Sequence, residues 1–257
     1  MPNGSAAVAD ALRRYGEELV SSAAAQTGGV FTDIPAADAL IKSSPEAFLL
    51  GVLFTQGIPA ERAWAGPYLL RGRLGHLDPG RLADAPDAVA AAVARRPALH
   101  RFVHTLPVWI VSAARRLLDT YDGSASGIWP DGTPVVEVVR RLREFDGIGE
   151  KKAVMTAEIL MRHFGVRLEG VECGSVAYDV HVRRVFLRSG LVDEDTPGLI
   201  REAARRACPE APGVLDLATW LIGRDYCRPR DPRCEQCRLG QVCPRLVSRT
   251  VLGVGTR

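Results

Sequence analysis

Apolar residues recur at spacings of three and four through ALRRYGEELVSSAAA, PEAFLLGVLFTQ, VVEVVRRLREF, KKAVMTAEILMRHF and VHVRRVFLRSGL, the spacing that gathers them on one face of an α-helix. Between these stretches stand GIPAERAWAGP, LDPGRLADAPDA, DGSASGIWPDGTP and CRPRDPRC, whose prolines and glycines read as breakers. No set of β-branched runs alternates with period two, so the pattern predicts an all-α protein without a sheet. IREAARRAC reads as a helix with a solvated arginine face, and no internal repeat or long low-complexity linker interrupts the chain.

Length and composition add limits to this helical picture. With 257 residues, 47% of them hydrophobic and 25% charged, the chain has material for one large or two modest domains with proper cores. No apolar run reaches the length that crosses a bilayer. The start, MPNGSAAVADALRRYGEEL, has neither the apolar core of a signal peptide nor the acid-poor character of a transit peptide, so a cytoplasmic protein without a membrane partner is expected. The net charge of +3 does not by itself point to nucleic acid, and the distribution of cations matters more.

Cysteine is distributed unevenly. Cys173 and Cys208 are isolated and read as small buried hydrophobes. Cys227, Cys234, Cys237 and Cys243 fall in one short stretch with the spacing C-x6-C-x2-C-x5-C. In a reducing compartment four such thiols point to a metal or cluster site rather than to disulfides, and thiolate chemistry alone leaves zinc and iron-sulfur both open. The spacing lacks the two separated CxxC knuckles of a zinc ribbon. Arg228, Arg230 and Arg233 surround these cysteines and suit either a solvated loop or a phosphate-contacting surface.

The cations carry a second signal. Only three are lysines, and two of those, Lys151 and Lys152, stand together in FDGIGEKKA. Gly147, Ile148 and Gly149 form a tight turn between two amphipathic helices, leaving backbone N–H groups at a helix N-terminus, where a phosphate is favoured. Arginine would hold that phosphate at least as well, but a guanidinium is no nucleophile, so a lysine retained here suggests chemistry that needs a free amine, such as Schiff-base formation.

At this point a family resemblance becomes specific. GIGEK is similar to the helix-hairpin-helix signature of the endonuclease III family of DNA glycosylases. YDVHVRRVF resembles that family's segment carrying a second catalytic residue, an aspartate. WLIGRDYC with the four cysteines resembles its [4Fe-4S] loop, and GVLFTQ its early helix ending in a glutamine. The four matches run in the family's order from about residue 46 to 245.

The resemblance implies two all-helical domains with a DNA-binding cleft between them. A six-helix barrel with the helix-hairpin-helix would span 45–165, and a helical domain with the [4Fe-4S] cluster loop would combine 1–44 with 166–257. It implies a base-excision repair glycosylase that flips a damaged or mispaired base from double-stranded DNA. Lys151 would attack C1′ and form a Schiff base that permits strand cleavage by β-elimination. Asp179, at the start of the next helix, would stabilise charge on the sugar and accept a proton from the amine. Gly147, Ile148, Gly149, Lys152, Arg228, Arg230 and Arg233 would contact the DNA backbone, and Gln56 would approach the orphaned base. Cys227, Cys234, Cys237 and Cys243 would hold the cluster, and the protein would act as a monomer. Phe102 and Leu106 are the wedge candidates by position.

Some features depart from the family pattern. Asp146 and Glu150 place carboxylates beside the phosphate grip. DGSASGIWPDGTP and GVRLEGVECGSVAYD are long, with Trp129 either a stacking residue or a buried anchor. The alternatives are a monofunctional glycosylase for alkylated or mismatched bases, and a DNA-binding iron-sulfur protein without catalysis.

Overall fold

The computed structural model describes residues 3–22 and 31–248. Twelve α-helices carry the described chain: α1 (Asn3–Ser21), α2 (Pro35–Ser43), α3 (Pro45–Phe54), α4 (Ala60–Leu74), α5 (Pro79–Asp84), α6 (Pro86–Ala94), α7 (Thr105–Thr120), α8 (Val135–Leu142), α9 (Glu150–Phe164), α10 (Val180–Arg188), α11 (Pro197–Ala207) and α12 (Leu215–Asp225). Two stretches expected as breakers are helical instead. α4 begins inside GIPAERAWAGP, while α5 and α6 begin at the prolines of LDPGRLADAPDA. Proline at the first helical position brings a preset φ and has no N–H to leave unpaired, so there it starts a helix.

The helices bury two separate cores. The first takes residues from Leu40 to Leu168 and lies among α2–α9. α3 is apolar on every side, is capped by Ser44 Oγ accepting the Ala47 N–H at 3.1 Å, and runs through its middle. Gly51 of α3 meets the Trp64 ring and Gly66 of α4 meets the Phe54 ring, each so close that an added Cβ would fall 2.5 Å or less from ring carbon. These two contacts let the helices pack tightly. Trp129 is a buried anchor, its ring edge-on to Phe48 at 5.8 Å, and not an exposed stacking residue.

The second core joins α1, α10, α11 and α12 with Leu239 of the cysteine loop. α2, which the sequence placed with this second domain, packs instead against α3 and α4, because its Leu40 and Ile41 face the first core. The two long loops pair with each other. Gly132 N donates to the Arg167 carbonyl at 2.7 Å and Glu169 N to the Thr133 carbonyl at 3.0 Å. This makes one isolated bridge, Pro134 to Glu169, and no strand occurs among the described residues. No described helix is long and apolar enough to cross a membrane.

Candidate active site

The turn before α9 is shaped by Gly147, whose φ of +80° belongs to the left-handed region, and whose missing side chain makes room for the Trp109 ring. An added Cβ there would lie 2.5 Å from Trp109 Cε3. Ile148 points into the first core, so only its backbone can serve a ligand. Gly149 is the N-cap of α9, offers no side-chain cap, and has open space where a Cβ would stand. The first turn of α9 therefore presents its N–H groups and the positive end of its dipole. The two acids that flank the turn are already engaged. Asp146 accepts from Ser112 Oγ at 2.6 Å, and Glu150 pairs with Arg201 of α11.

Lys151, in the first turn of α9, reaches across to the second lobe. Its Nζ lies 3.0 Å from Asp179 Oδ2, with the lysine side chain 54% exposed and the aspartate only 4%. Asp179 is the N-cap of α10, and its Oδ1 accepts the N–H groups of His181 at 2.8 Å and Val182 at 2.9 Å. One carboxylate oxygen thus anchors the residue to its helix and the other is left for the amine.

Lys152 departs from expectation. The family resemblance places it at a DNA phosphate, but it lies about 100° further round α9 than Lys151 and is buried in the first lobe. Its Nζ donates to the Leu53 carbonyl at 3.0 Å and sits 5.7 Å from the centre of the Trp109 ring. Burial, with the neighbouring Lys151 charge adding to it, pushes its amine down to about 8. Lys152 accordingly ties α9 to the last turn of α3.

Gln56 follows that turn and is exposed, its N–H donating to the Phe54 carbonyl at 2.7 Å. Beside it, a Cβ added at Gly57 would stand 3.5 Å from the ring of half-buried Phe102, whose N–H donates to His100 Nδ1 at 3.1 Å. Leu106 is fully buried, which removes it as a wedge and leaves Phe102. His100, which no motif marked, is buried against Phe54 and Phe102, and burial pushes its imidazole towards the neutral form.

The four clustered cysteines line one cavity with Arg188 and Leu239. Sulfur atoms receive N–H donors there: Leu239 N to Cys237 Sγ and Arg245 N to Cys243 Sγ, both at 3.4 Å, and Arg188 Nη1 to Cys227 Sγ at 4.0 Å. Donors of this kind suit thiolate ligands. Among the described residues no group of three or more His, Cys, Asp or Glu side chains is placed to hold a metal ion. Four thiols lining one cavity are a donor set that zinc and iron-sulfur clusters both accept. The loop is fastened to α10 by buried guanidiniums that the sequence did not single out. Arg188 donates to the Arg228 carbonyl at 2.7 Å and Arg184 to the Cys227 carbonyl at 2.5 Å, while Arg184 also donates to the Gly223 carbonyl of α12 at 2.6 Å. Arg228 is half-buried, while Arg230 and Arg233 are exposed at the loop surface. Of the isolated cysteines Cys208 is buried as expected, but Cys173 is exposed, since it falls in a surface turn before α10.

No protein-family model matches the chain. Among curated proteins it is 26% identical over 184 residues to the endonuclease III of Synechocystis sp., covering 67% of this chain and 73% of that one. It is 30% identical over 135 residues to the endonuclease III of Thermotoga maritima, covering 52% of this chain and 54% of that one. Among solved structures, a trapped endonuclease III–DNA covalent intermediate superposes with a TM-score of 0.59 at 17% identity, over 83% of this chain and 93% of that one. A thermostable thymine-DNA glycosylase gives a TM-score of 0.64 at 12% identity, over 96% and 98%.

Proposed function

The chain is related in sequence and fold to the endonuclease III family, and on that premise we propose that it is a base-excision repair DNA glycosylase with AP lyase activity. The observation that carries this reading is the Lys151–Asp179 pair, an exposed amine and a buried carboxylate 3.0 Å apart and supplied by different lobes. Duplex DNA lies in the cleft between the lobes, its backbone gripped by the open N-terminus of α9. A damaged or mispaired base leaves the stack, with Gln56 and Phe102 at the rim of the space it vacates.

Lys151 Nζ attacks C1′ while the base departs with the glycosidic electron pair. The amine must shed a proton as the C–N bond forms, and Asp179 Oδ2 is within reach to take it. The same carboxylate opposes the positive charge that grows on the sugar. The C1′–O4′ bond then breaks, O4′ takes up a proton and C1′ becomes the carbon of a Schiff base; loss of a proton from C2′ expels the 3′ phosphate with the C3′–O electron pair and cuts the strand. Cys227, Cys234, Cys237 and Cys243 would hold a [4Fe-4S] cluster, and when bound it would cross-link the loop that carries Arg228, Arg230 and Arg233 towards the DNA backbone.

The test is a borohydride trap on duplexes bearing an abasic site, thymine glycol, uracil, mispairs or alkylated purines. A covalent adduct on a base lesion that disappears in Lys151→Ala supports the bifunctional reading. Base release without an adduct would move the assignment to a monofunctional glycosylase, and binding without release to a protein with no chemistry.

A further inference from the structure

α9 turns one line of titratable side chains towards the second lobe. Lys151 and Glu158 are seven residues apart, close to two full turns, and share that face. Lys151 meets Asp179, and Glu158 lies against Gly213, where an added Cβ would stand 1.8 Å from Glu158 Oε1. Arg162, one turn further on, approaches Glu158 Oε2 at 3.9 Å. Across the seam α12 opens with Asp216, a buried acid for which the chemistry above has no use. A carboxylate is costly to bury without strong partners. Asp216 Oδ1 accepts the Ala177 N–H at 2.6 Å, a short charge-assisted bond. Ala177 stands two residues ahead of Asp179 in the segment that leads into α10. Asp179 is thereby held from both sides: its own Oδ1 grips the N–H groups of α10 behind it, and Asp216 grips the backbone in front.

We infer that Asp216 is a positioning residue, which fixes the 177–179 segment through the Ala177 N–H so that Asp179 Oδ2 stands against Lys151, while the Glu158–Gly213 contact sets the spacing of the two lobes along the same seam. The inference rests on the Lys151–Asp179 reading given above. An amide oxygen at position 216 can still accept the Ala177 N–H, whereas a methyl cannot. The rate on bound DNA therefore separates Asp216→Ala from Asp216→Asn, and exchange at the Ala177 amide, which follows the hydrogen bond itself, separates this role from bulk packing.

The experiment measures the single-turnover rate of adduct formation on an abasic duplex, DNA affinity, and hydrogen exchange at the Ala177 amide. Asp216→Ala is expected to slow adduct formation roughly 100-fold, the order of loss that a misplaced catalytic group produces. Its DNA affinity should stay within about 3-fold, since the loss falls on the chemical step. Asp216→Asn should remain within roughly 5-fold of the parent rate, because its acceptor is kept. Ala177 exchange should accelerate in the alanine variant only. If Asp216→Ala does not fold, Asp216→Glu decides, since its carboxylate is displaced by one methylene: a slow rate with native melting supports the inference and a parent rate overturns it. Asp216→Ala at the parent rate, or Asp216→Asn as slow as Asp216→Ala, also overturns it. Should the wild type form no adduct on any duplex, the enzyme reading fails by itself. The Ala177 exchange and the Lys151 Nζ resonance, both measured without DNA, then decide: release of the first and a shift of the second in Asp216→Ala uphold the positioning role, and unchanged values reject it.

Discussion

The burial of Lys152 makes a prediction about pH. Its amine is pushed down from 10.5 to about 8, a difference of 10.5 − 8 = 2.5 units, chiefly by burial. At about 1.4 kcal/mol per unit this amounts to roughly 3 kcal/mol against the folded state wherever the amine is charged in both states. The folded value lies below the unfolded one, so between pH 8 and 10.5 the unfolded chain binds more protons. Stability must therefore rise with pH across that window and be indifferent to this group below it. Lys152→Met keeps the length of the side chain and removes the charge. At neutral pH the relief is offset in part by the Leu53 carbonyl losing its donor, about 1–3 kcal/mol, so the net change there is small. The slope is the decisive quantity. Urea unfolding of the wild type and of Lys152→Met at pH 7, 8, 9 and 10 should show a difference in stability that shifts by roughly 2.5 kcal/mol over the series. A constant difference at all four values would refute the burial argument and return Lys152 to the surface as a phosphate contact.

Other substitutions test the rest of the account. Asp179→Asn retains an oxygen for the His181 and Val182 N–H groups, so melting should change little while adduct formation falls roughly 100-fold or more for want of a base. Glu158 is pushed up from 4.5 to about 8 by burial, with Asp216 adding to it and the Arg162 charge at 3.9 Å too distant to reverse it. Its folded value lies above its unfolded one, so the wild type should lose about 1.4 kcal/mol per pH unit between pH 6 and 8, above the range in which Asp216, itself pushed up to about 6, contributes, and this loss should be absent from Glu158→Gln in melting curves over that range. Gly147→Ala places a Cβ 2.5 Å from Trp109 at a φ of +80°, and should lower unfolding stability by roughly 2 kcal/mol and weaken duplex binding in a filter or anisotropy assay.

The legible parts of this protein are those in which one local pattern decides the outcome. Three-and-four spacing marks α8, α9 and α10, and an aspartate before VHVRRVF has the geometry of an N-cap wherever the chain goes next. Lys151 could be chosen over Lys152 only because 100° of helical rotation separates them and one belongs to the GIGEK pattern. The direction of Lys152 was hidden, since it depends on where α3 ends, and that carbonyl is 99 residues away in sequence. Proline misled for a related reason: Pro79 and Pro86 break helices when inside them and begin helices when at their starts, which composition does not distinguish. Leu106 and Phe102 are both apolar and near one another, and only packing separates the buried one from the half-buried one. Asp216, Arg184 and Arg188 sit within ordinary helical pattern, and the backbone groups through which they tie other elements are 39 or more residues distant.

The central claim is that the Lys151 amine, with Asp179 as its base, is the nucleophile. Its most direct test is to trap the protein with borohydride on an abasic duplex, digest the adduct and locate the modified residue by mass spectrometry. The account predicts a single attachment at Lys151, with Lys152 unmodified and the adduct lost in Lys151→Ala. Attachment at Lys152, or an adduct of equal yield in Lys151→Ala, would contradict it.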